Sequence, residues 1–296
     1  MKYLVTDIGG TFTKYAVMDE ECRFYEKGKI PTAKESVEEF LDMLTELFDN
    51  YREVAEGLAI SAPGMIDSER GFMYNAGAIL CVENLDIVRI LEERLKVPVT
   101  IENDAKSAAL AEMWRGSLQG CQDAAVVIPG TGIGGAVFCN GKLLRGRHLF
   151  AGEFSYLLSD GDDAMNPEKV LAYTASTAAL IGLTVRKKGI PREELDGEKV
   201  FRMANQGDPE TLEVLRIFCR RLAAHIINCQ FMTDPEKIAI GGGISAQPLL
   251  IRMIREELEK ICGMMPHEIS VPEVTVCRYF NDSNLIGALY VHLNAE

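Results

Sequence analysis

The sequence has eight cysteines but no C-x-x-C pair, so reduced and mostly buried thiols are expected rather than a paired-cysteine site. Cys22, Cys81, Cys139 and Cys277 all fall in apolar or strand-like runs. No apolar stretch approaches the roughly 18 residues of a membrane span. No leader precedes the first strand, which opens at Lys2, so a cytoplasmic protein with no membrane partner is expected. Positive charge is scarce: 31 Lys and Arg stand against 44 Asp and Glu, a net charge of −13. Nucleic-acid affinity rests on Lys and Arg displacing counterions from phosphates, so a nucleic-acid partner is not expected. A nucleotide site is local and survives this charge, because Mg²⁺ neutralises much of the phosphate. There is no G-x-x-x-x-G-K-[ST] P-loop.

What the chain does have is a plan used twice. Tyr3–Asp7 reads as a strand, Ile8–Thr11 as a glycine turn, Phe12–Met18 as a second strand and Cys22–Gly28 as a third. Later, Ala124–Ile128 is a strand, Gly130–Gly135 a glycine turn, Ala136–Cys139 a strand and Lys142–Arg145 a third, with Asn140-Gly141 as a type I′ hairpin signal. Helices and strands alternate after each copy: helices at Ser36–Tyr51, Ile87–Leu95 and Ala105–Trp114, strands at Gly57–Ser61 and Val99–Glu102. The second half gives helices at Val170–Lys187, Gly197–Ala204, Pro209–Phe231, Pro248–Ile261 and Asn284–Leu293, with strands at Lys237–Ile240 and Glu273–Cys277. The repeat predicts two similar α/β domains, 1–118 and 119–296, with the last helix, 284–296, packing back on the first. A ligand cleft between two such domains is the default expectation.

Gly130-x-Gly132-x-x-Gly135 matches a dinucleotide fingerprint in spelling only, because that fingerprint needs a helix after the glycines. Here a hairpin follows. A glycine hairpin turn can still grip phosphate, since its backbone approaches closely and its N–H groups form an anion nest. Thr11 and Thr131 add hydroxyls to the two turns; a plain tight turn is the alternative for either. Asp7, at a strand end before the first turn, suits Mg²⁺ directly or through water, with an Asx turn as its alternative. Gly241-Gly242-Gly243, after a buried strand, suits close approach by adenosine or its α-phosphate.

Asp7-Ile8-Gly9-Gly10-Thr11, Glu102-Asn103-Asp104-Ala105, Gly130-Thr131-Gly132-Ile133-Gly134-Gly135, Gly152-Glu153, Gly241-Gly242-Gly243 and Leu285-Ile286-Gly287-Ala288 stand in the order found in the ROK family. The resemblance runs from about Lys2 to Leu293. It implies a two-domain, actin-like ATPase (ribonuclease H-like) α/β fold with ATP and sugar in the interdomain cleft, Mg²⁺-ATP as phosphate donor, and transfer to a sugar hydroxyl, usually that on carbon 6. It implies Asp104 as catalytic base, and Asn103, Glu153, Tyr156, Gly64, Gly77 and Ala78 around the sugar. It implies Asp7, Gly9, Gly10, Thr11, Lys14, Gly130, Thr131, Gly132, Gly241 and Gly242 around ATP, with Asp7 on the metal side, and a homodimer. The chemistry agrees: a positioned carboxylate can take the proton of a sugar hydroxyl, a poor nucleophile, as it attacks phosphorus. A helix N-cap is the structural alternative for Asp104.

The chain departs from the family pattern at Glu153-Phe154-Ser155-Tyr156, where the family reads Glu-x-Gly-His. No Cys or His lies between Glu153 and Ala179, so no zinc is expected there. Pro129 precedes the second turn, and Asn284 stands where a glycine is usual. Tyr156 without a zinc cluster, together with Ile60-Ser61-Ala62-Pro63-Gly64, resembles the β-glucoside kinase branch. This implies phosphorylation of the non-reducing glucose of a β-glucoside such as cellobiose. Other hexose kinases, acting on glucose, N-acetylmannosamine or fructose, are the alternative. A silent sugar sensor is more remote, and a repressor more remote still, as no DNA-reading module is expected ahead of residue 2.

Overall fold

The computed structural model describes residues 1–295. The chain divides into two compact units, the first comprising Met1–Trp114, Arg145–Phe150 and the segment from Asp282, the second Arg115–Leu144 and Ala151–Asn281. The crossing thus falls between Trp114 and Arg115, not at 118/119, and the excursion at Arg145–Phe150 interrupts the second unit.

The first unit is built from β1 (Lys2–Ile8), β2 (Phe12–Asp19), β3 (Phe24–Pro31), α1 (Val37–Asp49), β4 (Leu58–Ala62), β5 (Met65–Asp67), β6 (Phe72–Asn75), α2 (Ile87–Leu95), β7 (Val99–Asn103) and α3 (Asp104–Arg115). Its sheet runs β3-β2-β1-β4-β7, with β5 and β6 in a separate hairpin. The pairs β3–β2 and β2–β1 are antiparallel, and β1–β4 and β4–β7 parallel. Ser36 starts α1 by accepting from the Glu39 N–H at 3.2 Å. That bond satisfies one of the helix's orphan donors and fixes the rotation that buries Phe40, Leu41, Leu44, Leu47 and Phe48 in one cluster with Leu4, Ile60 and Ile101.

The second unit contains β8 (Ala124–Pro129), β9 (Ile133–Cys139), β10 (Lys142–Leu143), α4 (Leu171–Ala175), α5 (Thr177–Lys188), α6 (Gly197–Asn205), α7 (Pro209–Thr233), β11 (Lys237–Ile240), α8 (Pro248–Gly263) and β12 (Val274–Val276). The sheet order β10-β9-β8-β11-β12 repeats the first plan: three antiparallel strands, then parallel additions. Asn140 and Gly141 both take positive φ, 52° and 72°, as a type I′ turn requires. The final helix, α9 (Ser283–Leu293), packs on β1, β4 and β7. No helix among the described residues is long and apolar enough to cross a membrane.

Four expected elements change. The second glycine turn is only Gly130–Gly132, because Gly134 and Gly135 are inside β9 and pair with Ile128 and Val127. The helix expected over Val170–Lys187 breaks at Ser176, whose extended backbone lets its hydroxyl cap α5 at Ala179. The strand expected over Lys142–Arg145 stops at Leu143, since Arg145 turns away to pair with Glu102. The third strand begins at Phe24, not Cys22, because Cys22 sits in the turn with φ of 63°.

Gly287 of α9 lies so close to α3 that a Cβ on it would stand 1.7 Å from the Ser107 carbonyl oxygen. Backbone must therefore shift on any substitution. Gly287→Ala is expected to destabilise the protein by about 1–3 kcal/mol, read as a lowered thermal midpoint.

Burial pushes the imidazoles of His225 and His292 down to about 4. In the unfolded chain they protonate near 6.5. The folded state thus binds fewer protons, so its stability is intact above about pH 6.5 and falls as pH drops from there toward 4. Each histidine contributes roughly 3 kcal/mol to that loss. Urea unfolding at pH 7 and pH 4.5 measures it, and replacing both by Gln is expected to flatten the slope.

Candidate active site

In the first unit the parallel register sets Asp7 of β1 beside Ser61 of β4, and Ser61 beside Glu102 of β7. Asp7 is nearly buried, 8% exposed. Its Oδ1 accepts from Asn284 Nδ2 at 2.9 Å and Ser61 Oγ at 3.3 Å, and its Oδ2 faces Lys14 Nζ at 3.6 Å. Asn284, which stands where the family has glycine, thus orients the strand-end carboxylate from the last helix. The adjoining turn is held by Thr32: its N–H donates to the Thr11 carbonyl at 3.0 Å and its hydroxyl to the Gly9 carbonyl at 2.7 Å. Gly10 lies against Ala78, whose Cβ would be 3.1 Å from an added Cβ.

The end of β7 runs directly into α3. Asn103 caps that helix, its Oδ1 accepting from the Lys106 N–H at 3.1 Å, while its Nδ2 donates to the Gly64 carbonyl at 2.9 Å. The capping role that a helix-opening Asp104 could fill is therefore filled by its neighbour. Asp104 Oδ1 accepts from the Ala105 N–H at 2.8 Å. Gly77 joins the group through its N–H, which donates to Asn75 Oδ1 at 2.8 Å. Asn103 thus ties the start of α3 to Gly64, Gly77 lies beside Pro63 and Gly64, and Ala78 lies beside Gly10 of the first glycine turn.

Behind Asn103, Glu102 is wholly buried. Its Oε1 accepts from the Asn103 N–H at 2.8 Å, and its Oε2 accepts from Arg145 Nη2 at 2.7 Å. Burial works against the Arg145 charge, but the bond to Glu102 and the fields of Glu102, Glu69 and Asp67 outweigh it and hold the guanidinium's pKa above its ordinary value.

In the second unit a cavity of about 600 Å³ opens between the turn Gly130–Gly132, the start of α5 and the glycine run after β11. It is lined by Gly130, Thr131, Thr177, Ala178, Gly243 and Gln247. This volume lies in the range of small-molecule sites. An added Cβ on Gly130 or Gly243 would meet nothing within 4 Å, so bare backbone faces open space at both. Pro129 is anchored, its carbonyl accepting from Thr177 Oγ1 at 2.9 Å. Gly132, Gly241 and Gly242 do not line the cavity; Gly242 lies behind it, with φ of 79°, and a Cβ on it would stand 2.5 Å from the Pro129 carbonyl. Glu153 opens a short 3-10 turn, Phe154–Tyr156. Ser155 locks that turn to β9, its hydroxyl accepting from the Ile133 N–H at 2.9 Å and donating to the Ile133 carbonyl at 3.1 Å. Tyr156 is 70% exposed.

Sequence reasoning missed Thr177, Arg192, Asp196 and Gly197 as cavity residues, along with Arg145 and the pairing of Asn284. The stretch from Thr184 to Gly207 carries no recognisable motif. The only signal there was Gly197, which must be small because a Cβ would come within 2.8 Å of Ile244.

The ROK family profile matches residues 3–295. A β-glucoside kinase from Klebsiella pneumoniae is 32% identical over 99% of this chain and 96% of its own length. Among solved structures, a ROK family protein from Streptococcus pneumoniae in complex with sucrose superposes with TM-score 0.89 at 31% identity, covering 99% of this chain and 98% of that one. A ROK family glucokinase from Streptomyces griseus, in complex with glucose and AMPPNP, gives TM-score 0.84 at 25% identity, covering 99% of both chains.

Gly242→Ala is expected to weaken ADP binding at least tenfold by calorimetry, because left-handed backbone and the Pro129 carbonyl both resist a side chain. Unchanged affinity would mean that the cavity is not the nucleotide site.

Proposed function

Because this chain belongs to the ROK family and is a sugar kinase, we propose that its acceptor is the 6-hydroxyl of the non-reducing glucose in a β-glucoside such as cellobiose, with ATP as donor. The observation that carries this reading is the turn Glu153–Tyr156, where an exposed tyrosine and a Ser155 anchor on β9 replace the family's glycine and histidine. On this reading the exposed Tyr156, in place of the family's histidine, leaves the reducing side of the sugar open to an aglycone. The likeness to the Klebsiella β-glucoside kinase supports the same substrate class.

In the proposed reaction Asn103 holds a sugar hydroxyl, and Asp104 takes the proton of the 6-hydroxyl. The sugar oxygen forms its bond to the γ-phosphorus as the bond to the β–γ bridging oxygen breaks and ADP leaves. The nucleotide takes the 600 Å³ cavity of the second unit, with phosphate on the backbone of Gly130–Gly132. Asp7, an oxygen donor at a strand end with Asn284 and Ser61 fixing one of its oxygens, fits the metal side. Mg²⁺, when bound, neutralises phosphate charge. Lys14 beside Asp7 adds a second positive charge. Most of the rate comes from alignment, with the base adding about 10²- to 10⁴-fold.

The test is ADP release from Mg²⁺-ATP with cellobiose, gentiobiose, an alkyl β-glucoside, glucose, N-acetylmannosamine and fructose. Preference for the β-glucosides is expected, with Asp104→Ala reduced by about 10²- to 10⁴-fold. Turnover of free glucose alone would assign a glucokinase instead.

A further inference from the structure

We infer that Arg145 is a positioning residue for phosphoryl transfer, acting through buried Glu102 to fix the orientation and charge of the strand end that carries Asp104. The inference rests on the reading of Asp104 as the base.

Three observations carry it. Glu102 has no exposed surface, and both of its carboxylate oxygens are committed: one to the Asn103 N–H at 2.8 Å, the other to Arg145 at 2.7 Å. A buried carboxylate is tolerated only when paired and hydrogen-bonded. Arg145 therefore fixes the Glu102 carboxylate that holds the Asn103 amide. The Asn103-Asp104 peptide is the hinge between β7 and α3, so a rotation there moves the base directly. Finally, Arg145 reaches Glu102 because the chain leaves the second unit for six residues, Arg145–Phe150. That excursion makes a second contact on the same helix start, Lys106 Nζ donating to the Leu149 carbonyl at 3.4 Å. The second unit resumes at Ala151.

Several charged groups face this end. Asp67 of β5 and Glu69 of the following turn act on Arg145. Lys106 and buried Glu112 belong to α3. From the other elements packed on β7, Glu92 of α2 bonds Val99 and His292 of α9 bonds Thr100, both at the far end of the strand. Glu102 and Arg145 form an ion pair beside Asn103, and their opposite charges partly cancel at Asp104.

The cancellation gives a signed test, the pH profile of kcat/KM for the preferred sugar in three purified, folded variants. Arg145→Met leaves a negative charge near the base and is expected to move the acid limb up by about half a unit to one unit. It should also lower kcat/KM by roughly 10²-fold, as for a base displaced by about 1 Å, while KM for ATP stays within about twofold of wild type, since the nucleotide residues are untouched. Glu102→Gln leaves the positive charge and moves the limb down. The double variant Glu102→Gln/Arg145→Met removes both charges and returns the limb to the wild-type position. A purely structural role would lower the folded fraction but shift neither limb. Limbs that coincide in all three variants, or an equal loss in sugar and ATP parameters, would overturn the inference. If Arg145→Met does not fold, Glu102→Gln alone decides by the direction of its shift. Asp104→Ala is run alongside: full activity there would remove the base itself, whereas its loss with unshifted limbs would remove only the role of Arg145.

Discussion

The parallel register of β1, β4 and β7 is the constraint on which the first unit's chemistry depends. It brings Asp7, Ser61 and Glu102 level, and sets Ala62 beside Asn103. Side chains alternate faces along a strand, so a slip of one residue would send all of them to the opposite side. The register is protected by burial on both faces: β1 from Tyr3 to Ile8 and β4 throughout are buried, with α1 and α9 covering them. Asn284, in α9, then reaches Asp7 because Gly287 lets that helix seat against α3. Packing and polar geometry are here the same event.

The second unit uses the same sheet plan for a different end. Its hairpin turn is not an anion site by glycine content alone. Gly130 donates to the Gly132 carbonyl within the turn, and Pro129 and Thr177 hold the turn from below. Open backbone at Gly130 and Gly243 forms part of the cavity lining, beside side-chain residues such as Thr177, Arg192, Asp196 and Gln247. Glycine at these positions keeps side chains out of a space that a phosphate or ribose would need.

Much of this was legible in the residues. The duplicated hairpin, the Asn140-Gly141 turn and the α1 face follow from local periodicity and turn chemistry. The glycine turns and Asp104 could be placed at strand ends for the same reason, since strand, turn and helix signals are contiguous. What was not legible depends on distant partners. Nothing near Arg145 announces Glu102, 43 residues away, and its strand-like neighbours suggested that β10 would continue. Asn284 was visible as a departure but not as a ligand of Asp7. The β5–β6 hairpin consists of strands of three and four residues, too short to show alternation. The break at Ser176 was hidden because apolar residues continue on both sides of it.

The claim that binds the account together is that phosphate goes to the primary hydroxyl of the non-reducing ring. Phosphorus–proton correlation NMR of the product made from cellobiose and Mg²⁺-ATP tests it most directly. The account predicts coupling of phosphorus to the two protons on carbon 6 of the non-reducing glucose. Coupling to any other position or to the reducing ring, or inorganic phosphate as the only phosphorus product besides ADP, would contradict it.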